Sequence, residues 1–164
     1  MDTYKINIEG LDRELRKFPV NDKLDIAAFI MFGDIEMTEV AARELLKRVP
    51  EHDVVVTAEA KGIPLCYEMA RQGCRNYVVA RKSVKVYMGN PIGVTVNSIT
   101  TKNEQKLYLG EDDVNLLNGK RVLLVDDVIS TGANIVGRAS VLAEGDAKDR
   151  DDIIFLSELP LFFK

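Results

Sequence analysis

One histidine and two cysteines among 164 residues leave little room for whole classes of chemistry. His52, in the polar stretch Pro50-Glu-His-Asp53, has no activated nucleophile suggested around it, so it reads as a solvated loop residue rather than part of a triad. Cys66 and Cys74 lie eight apart on what reads as one helix. They are too far along its axis to bridge, and neither a CxxC pair nor a histidine accompanies them. They read as buried thiols and not as metal or redox ligands. Long apolar runs are missing too. None approaches the roughly 18 residues of a membrane span, and Met1-Asp-Thr-Tyr-Lys5 carries no hydrophobic leader, so a cytoplasmic protein without a membrane partner is expected. The balance of 22 basic against 26 acidic residues gives a net charge of −4, which lacks the basic footprint of a nucleic-acid binder.

What is present is ordinary globular composition, 46% hydrophobic and 29% charged, long enough for one domain over residues 1–164. Its focus is Arg121-Val-Leu-Leu-Val-Asp-Asp-Val-Ile-Ser-Thr-Gly-Ala-Asn134. An apolar β-rich run stops at Asp126 and Asp127 and is followed by the small, hydroxyl-rich turn Ser130-Thr131-Gly132-Ala133-Asn134. Two carboxylates can accept hydrogen bonds from vicinal ribose hydroxyls, and a tight turn rich in N–H and hydroxyl groups can cradle a phosphate. The same residues also suit a Mg²⁺ site or a structural turn.

Two more polar constellations follow apolar runs directly. Val54-Val-Val56 leads into Glu59-Ala60-Lys61-Gly62-Ile-Pro64 and a helix over about 63–72. A strand, a glycine-containing loop and a helix N-terminus make an anion site. Tyr77-Val-Val-Ala80 ends at Arg81 and Lys82, with Lys85 close behind, and three cations at a strand end can neutralise a polyanion. Met37 to Val49 is a helix with Thr38 as its N-cap and Pro50 beyond its end. Tyr4, Ile6 and Ile8 alternate as a strand does, whereas Leu11, Leu15 and Phe18 fall at helical spacing. From Val86 to Leu109 the chain reads as a two-stranded ribbon with a polar tip near residues 98–105, and Glu111 to Asn118-Gly119 as a polar turn, Asn118-Gly119 fitting type I′.

Val122-Leu-Leu-Val-Asp-Asp-Val-Ile-Ser-Thr-Gly132 resembles the phosphoribosyl pyrophosphate (PRPP) loop of type I phosphoribosyltransferases. Glu59-Ala-Lys-Gly-Ile-Pro64 is similar to the pyrophosphate loop of the adenine and xanthine enzymes, which often contains a non-proline cis peptide. Met31-Phe-Gly-Asp-Ile35 resembles the segment in which an apolar residue and a phenylalanine line the base pocket, with Gly33 where those enzymes commonly carry arginine. Ala133 and Asn134 replace the commoner glycine and hydroxyl residue.

The resemblance implies an α/β fold with a largely parallel sheet flanked by helices, a flexible β-ribbon lid and a small N-terminal hood. It implies a purine phosphoribosyltransferase of nucleotide salvage, adenine-type first, converting PRPP and a purine base to nucleoside monophosphate and pyrophosphate. Asp126 and Asp127 would hold the ribose, Ser130, Thr131, Gly132, Ala133 and Asn134 the 5′-phosphate, and Ala60, Lys61, Gly62, Arg81, Lys82 and Lys85 the pyrophosphate. Met31 and Phe32 would meet the base. Mg²⁺ would be carried by substrate oxygens and water, and the protein would be a homodimer. The same resemblance admits a PRPP-sensing regulator similar to the purine operon repressor, without turnover.

In the family the PRPP loop opens a helix of about three turns before the next strand. Here only Ile135 to Glu144 stands between the turn and the acidic stretch Gly145 to Asp152, enough for a helix or a strand but hardly both. The strand reading, over Val136–Ala143, carries with it a missing helix and an unusual connection. Ile153 to Leu156 then reads as an edge strand followed by an apolar tail.

Overall fold

The computed structural model describes residues 2–96, 105–129 and 138–163. Three β-branched valines open β4 (Val54–Ala58), which sits beside β8 (Val122–Ile129) in a five-stranded sheet of order β10-β9-β8-β4-β5. Here β5 is Tyr77–Ala80, β9 Arg138–Glu144 and β10 Ile153–Leu159, and every pairing is parallel. A sheet covered on both faces reads as continuous apolar runs, and these strands do. Val55, Leu123, Val125, Ala139 and Val141 join the main core with Met37, Ala41 and Leu45 of α1 (Ile35–Leu46) and Leu65 and Met69 of α2 (Ile63–Gln72). Val54, Val56 and Val78 pack with Leu109 and Leu117, from β7 (Gln105–Leu109) and α3 (Glu111–Leu117).

The first segment is a hairpin. β1 (Thr3–Ile8) pairs antiparallel with β2 (Leu11–Asn21), so the helical spacing of Leu11, Leu15 and Phe18 misleads. The turn is responsible. Glu9 and Gly10 both take positive φ, 50° and 87°, which reverses the chain within two residues and sets β2 in register with β1. β3 (Leu24–Ala27) and β11 (Phe162–Phe163) complete a four-stranded antiparallel hood, and Ile6, Ile8 and Leu15 enter the main core.

Several boundaries differ from the sequence expectation. The N-cap of α1 is Asp34, not Thr38: Asp34 Oδ1 accepts the Met37 N–H at 3.1 Å. Thr38 lies inside the helix and donates its hydroxyl to the Asp34 carbonyl at 2.8 Å. The helix ends at Leu46. Cys74 stands beyond the end of α2, past Gly73, while Cys66 is fully buried within it and burial pushes its thiol up to about 12. Glu111 to Leu117 is a helix, with three acids in its first turn where the helix dipole favours them. Asn118 has φ −60° and ψ 122° and Gly119 φ +71°, so this turn is type II and not type I′.

The ribbon forms as β6 (Ile92–Val96) antiparallel to β7, its tip at 97–104 falling outside the described residues. Arg138 to Glu144 is a strand, parallel to both neighbours, so the strand reading holds over that span, and residues 130–137 lie outside the described part.

Candidate active site

β8 does not stop at its acids. It runs on through Ile129, so Asp126 and Asp127 occupy consecutive strand positions and point to opposite faces. Asp127 turns towards the loop after β4, where its Oδ2 accepts from Lys61 Nζ at 2.5 Å; its side chain is 4% exposed against 47% for the lysine. Lys61 Nζ also reaches the Phe29 carbonyl at 3.4 Å.

Asp126 is the more exposed carboxyl of the two, yet still partly covered. Burial raises its pKa, the neighbouring Asp127 charge pushes the same way, and Lys61 pulls it back. One Asp126 oxygen accepts the Asp127 N–H at 2.9 Å. Two carboxylates beside this loop can accept hydrogen bonds from hydroxyls.

The loop after β4 presses against this pair. A methyl group on Gly62 would come 2.3 Å from Thr57 Oγ1 and 2.8 Å from Asp126 Oδ1, so only glycine fits there. The Glu59–Ala60 peptide is cis, as the resemblance implied for this loop. The N–H groups of Ala60, Lys61 and Gly62 donate to no other described residue, and Gly62 caps α2 without any side-chain acceptor. Pro64, at the start of α2, needs no partner for its missing N–H. Three donors without an acceptor among the described residues, at a helix N-terminus, make a cradle for an anion.

Arg81 follows β5 and pairs by an isolated bridge with Tyr108 of β7, which ties the ribbon to the sheet. Its guanidinium lies 3.3 Å from Glu59 Oε1 and donates to the Tyr87 hydroxyl at 3.1 Å. Glu59 Oε2 accepts the Lys82 N–H at 2.9 Å, and that bond with the Arg81 charge holds the Glu59 carboxyl below its usual range. Glu59 therefore joins the second and third constellations. Lys85 donates its ammonium to Ser83 Oγ at 2.8 Å, and its charge adds to the lowering of the Glu59 carboxyl.

Met31 is 1% exposed and belongs to the main core, whereas Phe32 is 53% exposed. Ser130, Thr131, Gly132, Ala133 and Asn134 lie outside the described residues. Asp126, Asp127, Ala60, Lys61, Gly62, Arg81 and Lys82 are thus brought to one edge of the sheet, at the carboxyl ends of β4, β5 and β8, where open α/β sheets bind ligands.

Sequence reasoning passed over Thr57, Glu59 and Glu144. Glu59 stood in plain view, next to the Ala60–Gly62 stretch. Glu144 has the signature that drew attention to Asp126, an acid closing an apolar run, and it is the last residue of β9. Burial raises its carboxyl while the Lys61 charge opposes the rise. His52 keeps to its loop, with Nδ1 2.9 Å from the Pro50 carbonyl.

Comparison with known proteins agrees with this geometry. The phosphoribosyl transferase domain family matches residues 31–155. The hypoxanthine/guanine phosphoribosyltransferase of Methanothermobacter thermautotrophicus is 30% identical over 159 residues, covering 92% of this chain and 79% of that protein. Its counterpart in Methanotorris igneus is 34% identical over 117 residues, 70% of this chain and 60% of that one. A probable purine biosynthesis transcriptional regulator of Streptococcus pneumoniae is 25% identical over 139 residues, 80% of this chain and 50% of the regulator. In fold, the adenine phosphoribosyltransferase of Thermoanaerobacter pseudethanolicus superposes with a TM-score of 0.69 at 20% identity, covering 88% of this chain and 95% of that one. Strand order, loop geometry and these relatives converge, and the chain belongs to the phosphoribosyl transferase domain family, in its purine branch.

Proposed function

We propose that this chain transfers the phosphoribosyl group of PRPP to a purine base, releasing pyrophosphate. The observation that carries the reading is the meeting of the Ala60–Gly62 loop with Asp126 and Asp127, which brings an anion cradle against paired carboxylates. In this reading the N–H groups of 60–62 take pyrophosphate, with Arg81 and Lys82 beside them. Asp126 and Asp127 accept from the ribose hydroxyls, and Ser130 to Asn134 take the 5′-phosphate. Pyrophosphate would compete with Glu59 for Arg81, exchanging one anionic partner for another without baring the cation. Phe32 offers an exposed ring to the base. Rate enhancement comes from positioning and charge stabilisation, and the β6–β7 ribbon, bridged to Arg81 through Tyr108, would serve as a cover excluding water from the oxocarbenium-like state.

Among the described residues no cluster of three or more His, Cys, Asp or Glu side chains could hold a metal. A pair of acids beside a phosphate cradle fits Mg²⁺, which takes one or two carboxylates and fills its remaining positions with phosphate oxygens and water. When bound, it would neutralise charge on the departing pyrophosphate.

For the base, hypoxanthine or guanine comes ahead of adenine. The Methanothermobacter and Methanotorris relatives, at 30% and 34% identity over 92% and 70% of this chain, carry hypoxanthine/guanine names, and the adenine enzymes support the fold at about 20%. Gly33, in place of the arginine common in adenine enzymes, agrees. A homodimer belongs to the proposal: Ile35 and Tyr67 are exposed and line one groove, and Tyr67 meets the exposed Tyr77 edge to face at 5.9 Å, a surface suited to a second copy.

The second reading is a PRPP-sensing regulator, favoured by the 25% identity to the streptococcal regulator. Steady-state pyrophosphate release with PRPP, Mg²⁺ and each of hypoxanthine, guanine, xanthine and adenine separates the two. Turnover with a 6-oxopurine is expected. PRPP binding with no release for any base would select the regulator.

A further inference from the structure

Lys61 sits in the pyrophosphate loop by sequence, yet its side chain faces elsewhere. Its ammonium is 2.5 Å from Asp127 Oδ2 and 3.4 Å from the Phe29 carbonyl. Phe29 lies in the stretch between β3 and α1 that leads to Met31 and Phe32, the candidate base side. One cation thus ties the loop after β4, the second acid of β8 and the base-side segment together. Among the described residues Lys61 is the only cation paired with Asp127, whose side chain is 4% exposed. An ammonium that swung out to pyrophosphate would leave a buried carboxylate without a partner, a costly state. The loop has no need of it, because the N–H groups of Ala60, Lys61 and Gly62 donate to no other described residue and can meet the anion.

We propose that the Lys61 side chain is a positioning residue for the ribose and base sides of the cleft, setting Asp127 and the Phe29 segment in place, and is not a pyrophosphate ligand. Three rotatable donors on one ammonium let it hold both oxygens while ribose hydroxyls reach the other face of the carboxylate. The inference rests on the phosphoribosyltransferase reading, and the probes below separate the two.

Purine nucleoside 5′-monophosphates carry base, ribose and 5′-phosphate but no pyrophosphate, whereas inorganic pyrophosphate with Mg²⁺ carries only the other half. Calorimetric titration of wild type, Lys61→Met and Lys61→Arg with GMP, IMP and AMP, and separately with pyrophosphate and Mg²⁺, gives two affinities for each protein. Lys61→Met should weaken binding of the preferred monophosphate about tenfold and of pyrophosphate less than about twofold, with Lys61→Arg recovering most of the loss, since its charge can still pair with Asp127. The opposite pattern, pyrophosphate affinity lost and monophosphate affinity kept, would overturn the inference, as would no change in either. Wild type that binds none of these probes would overturn the enzyme reading, and this inference with it. A thermal unfolding midpoint for each variant separates misfolding from lost binding, and if Lys61→Met fails to fold, Lys61→Gln replaces it.

Discussion

A methyl group at position 62 has nowhere to go: Thr57 Oγ1 would be 2.3 Å away and Asp126 Oδ1 2.8 Å. Thr57 is buried in the body of β4 and Asp126 belongs to the central strand, so neither is a flexible tip that can swing aside. Gly62→Ala should therefore push the loop off the carboxylates while the apolar core stays intact. We expect kcat/KM for PRPP to fall about a hundredfold, the scale of an ångström-sized misplacement, with the unfolding midpoint little changed. Steady-state kinetics beside a urea melt checks both, and a variant within threefold of wild type would mean that the loop and acids are not pressed together in the working enzyme. At this scale the sequence was informative about identities and silent about pairings. Asp126, Asp127 and the Ala60–Gly62 turn stand out because each interrupts an apolar run. That Lys61 reaches Asp127, and that Glu59 links to Arg81 and Lys82, depends on contacts between residues more than twenty positions apart, which no local pattern encodes.

Asp34 shows how an element is set in place. It caps α1 by accepting the Met37 N–H, and it takes Arg13 of β2 in a two-point pair, Nε to Oδ2 at 2.6 Å and Nη2 to Oδ1 at 2.9 Å, so the hood is fastened to the helix that backs the sheet. The Arg13 guanidinium holds the Asp34 carboxyl below its usual range. Asp34→Ala removes both contacts. Loss of the cap alone costs about 1 kcal/mol, and the partly exposed pair adds no more than about another 1 kcal/mol, so urea denaturation should report a loss of about 1–2 kcal/mol. No measurable change would mean that solvent replaces both contacts freely.

Elements were legible where one signal dominated. Valine-rich β4 and the helices with apolar faces emerge from periodicity alone. The second strand of the hood did not, because its spacing is helical and only the Glu9-Gly10 turn, with two positive φ values, decides for a hairpin. Thr38 resembled a cap because the true cap lies four residues earlier in a segment that reads as base pocket. Arg138 to Glu144 is a strand because it is hydrogen-bonded on both sides, a tertiary fact that decides between the helix and the strand its length allowed.

For the whole molecule, the sheet, the hood and the cleft form one arrangement. The parallel sheet gathers three polar constellations at its carboxyl edge, and the hood enters the same core as the helices behind them. Much of this was legible, because an α/β sheet places whatever follows its strands at one edge. The link from β8 to β9 was the least readable part. The two strands are parallel neighbours, Leu124 opposite Arg138 and Ile129 opposite Ala143, with only residues 130–137 between them. A parallel crossover ordinarily takes about a dozen or more residues, usually with a helix, so the pattern familiar from the family gave no guide here. Ser130 to Asn134, assigned to the 5′-phosphate, fall within that link.

The central claim is that Asp127 and the Ala60–Gly62 loop work on one substrate in one cleft. Comparing pyrophosphate release by wild type and Asp127→Asn, with PRPP, Mg²⁺ and whichever purine base wild type turns over, tests it most directly. The substitution keeps the shape, removes the charge paired with Lys61 and puts a donor where the ribose hydroxyls need an acceptor. A fall in kcat/KM of about a hundredfold or more is predicted, on the scale of losing a buried charged partner; turnover close to that of wild type would contradict the account.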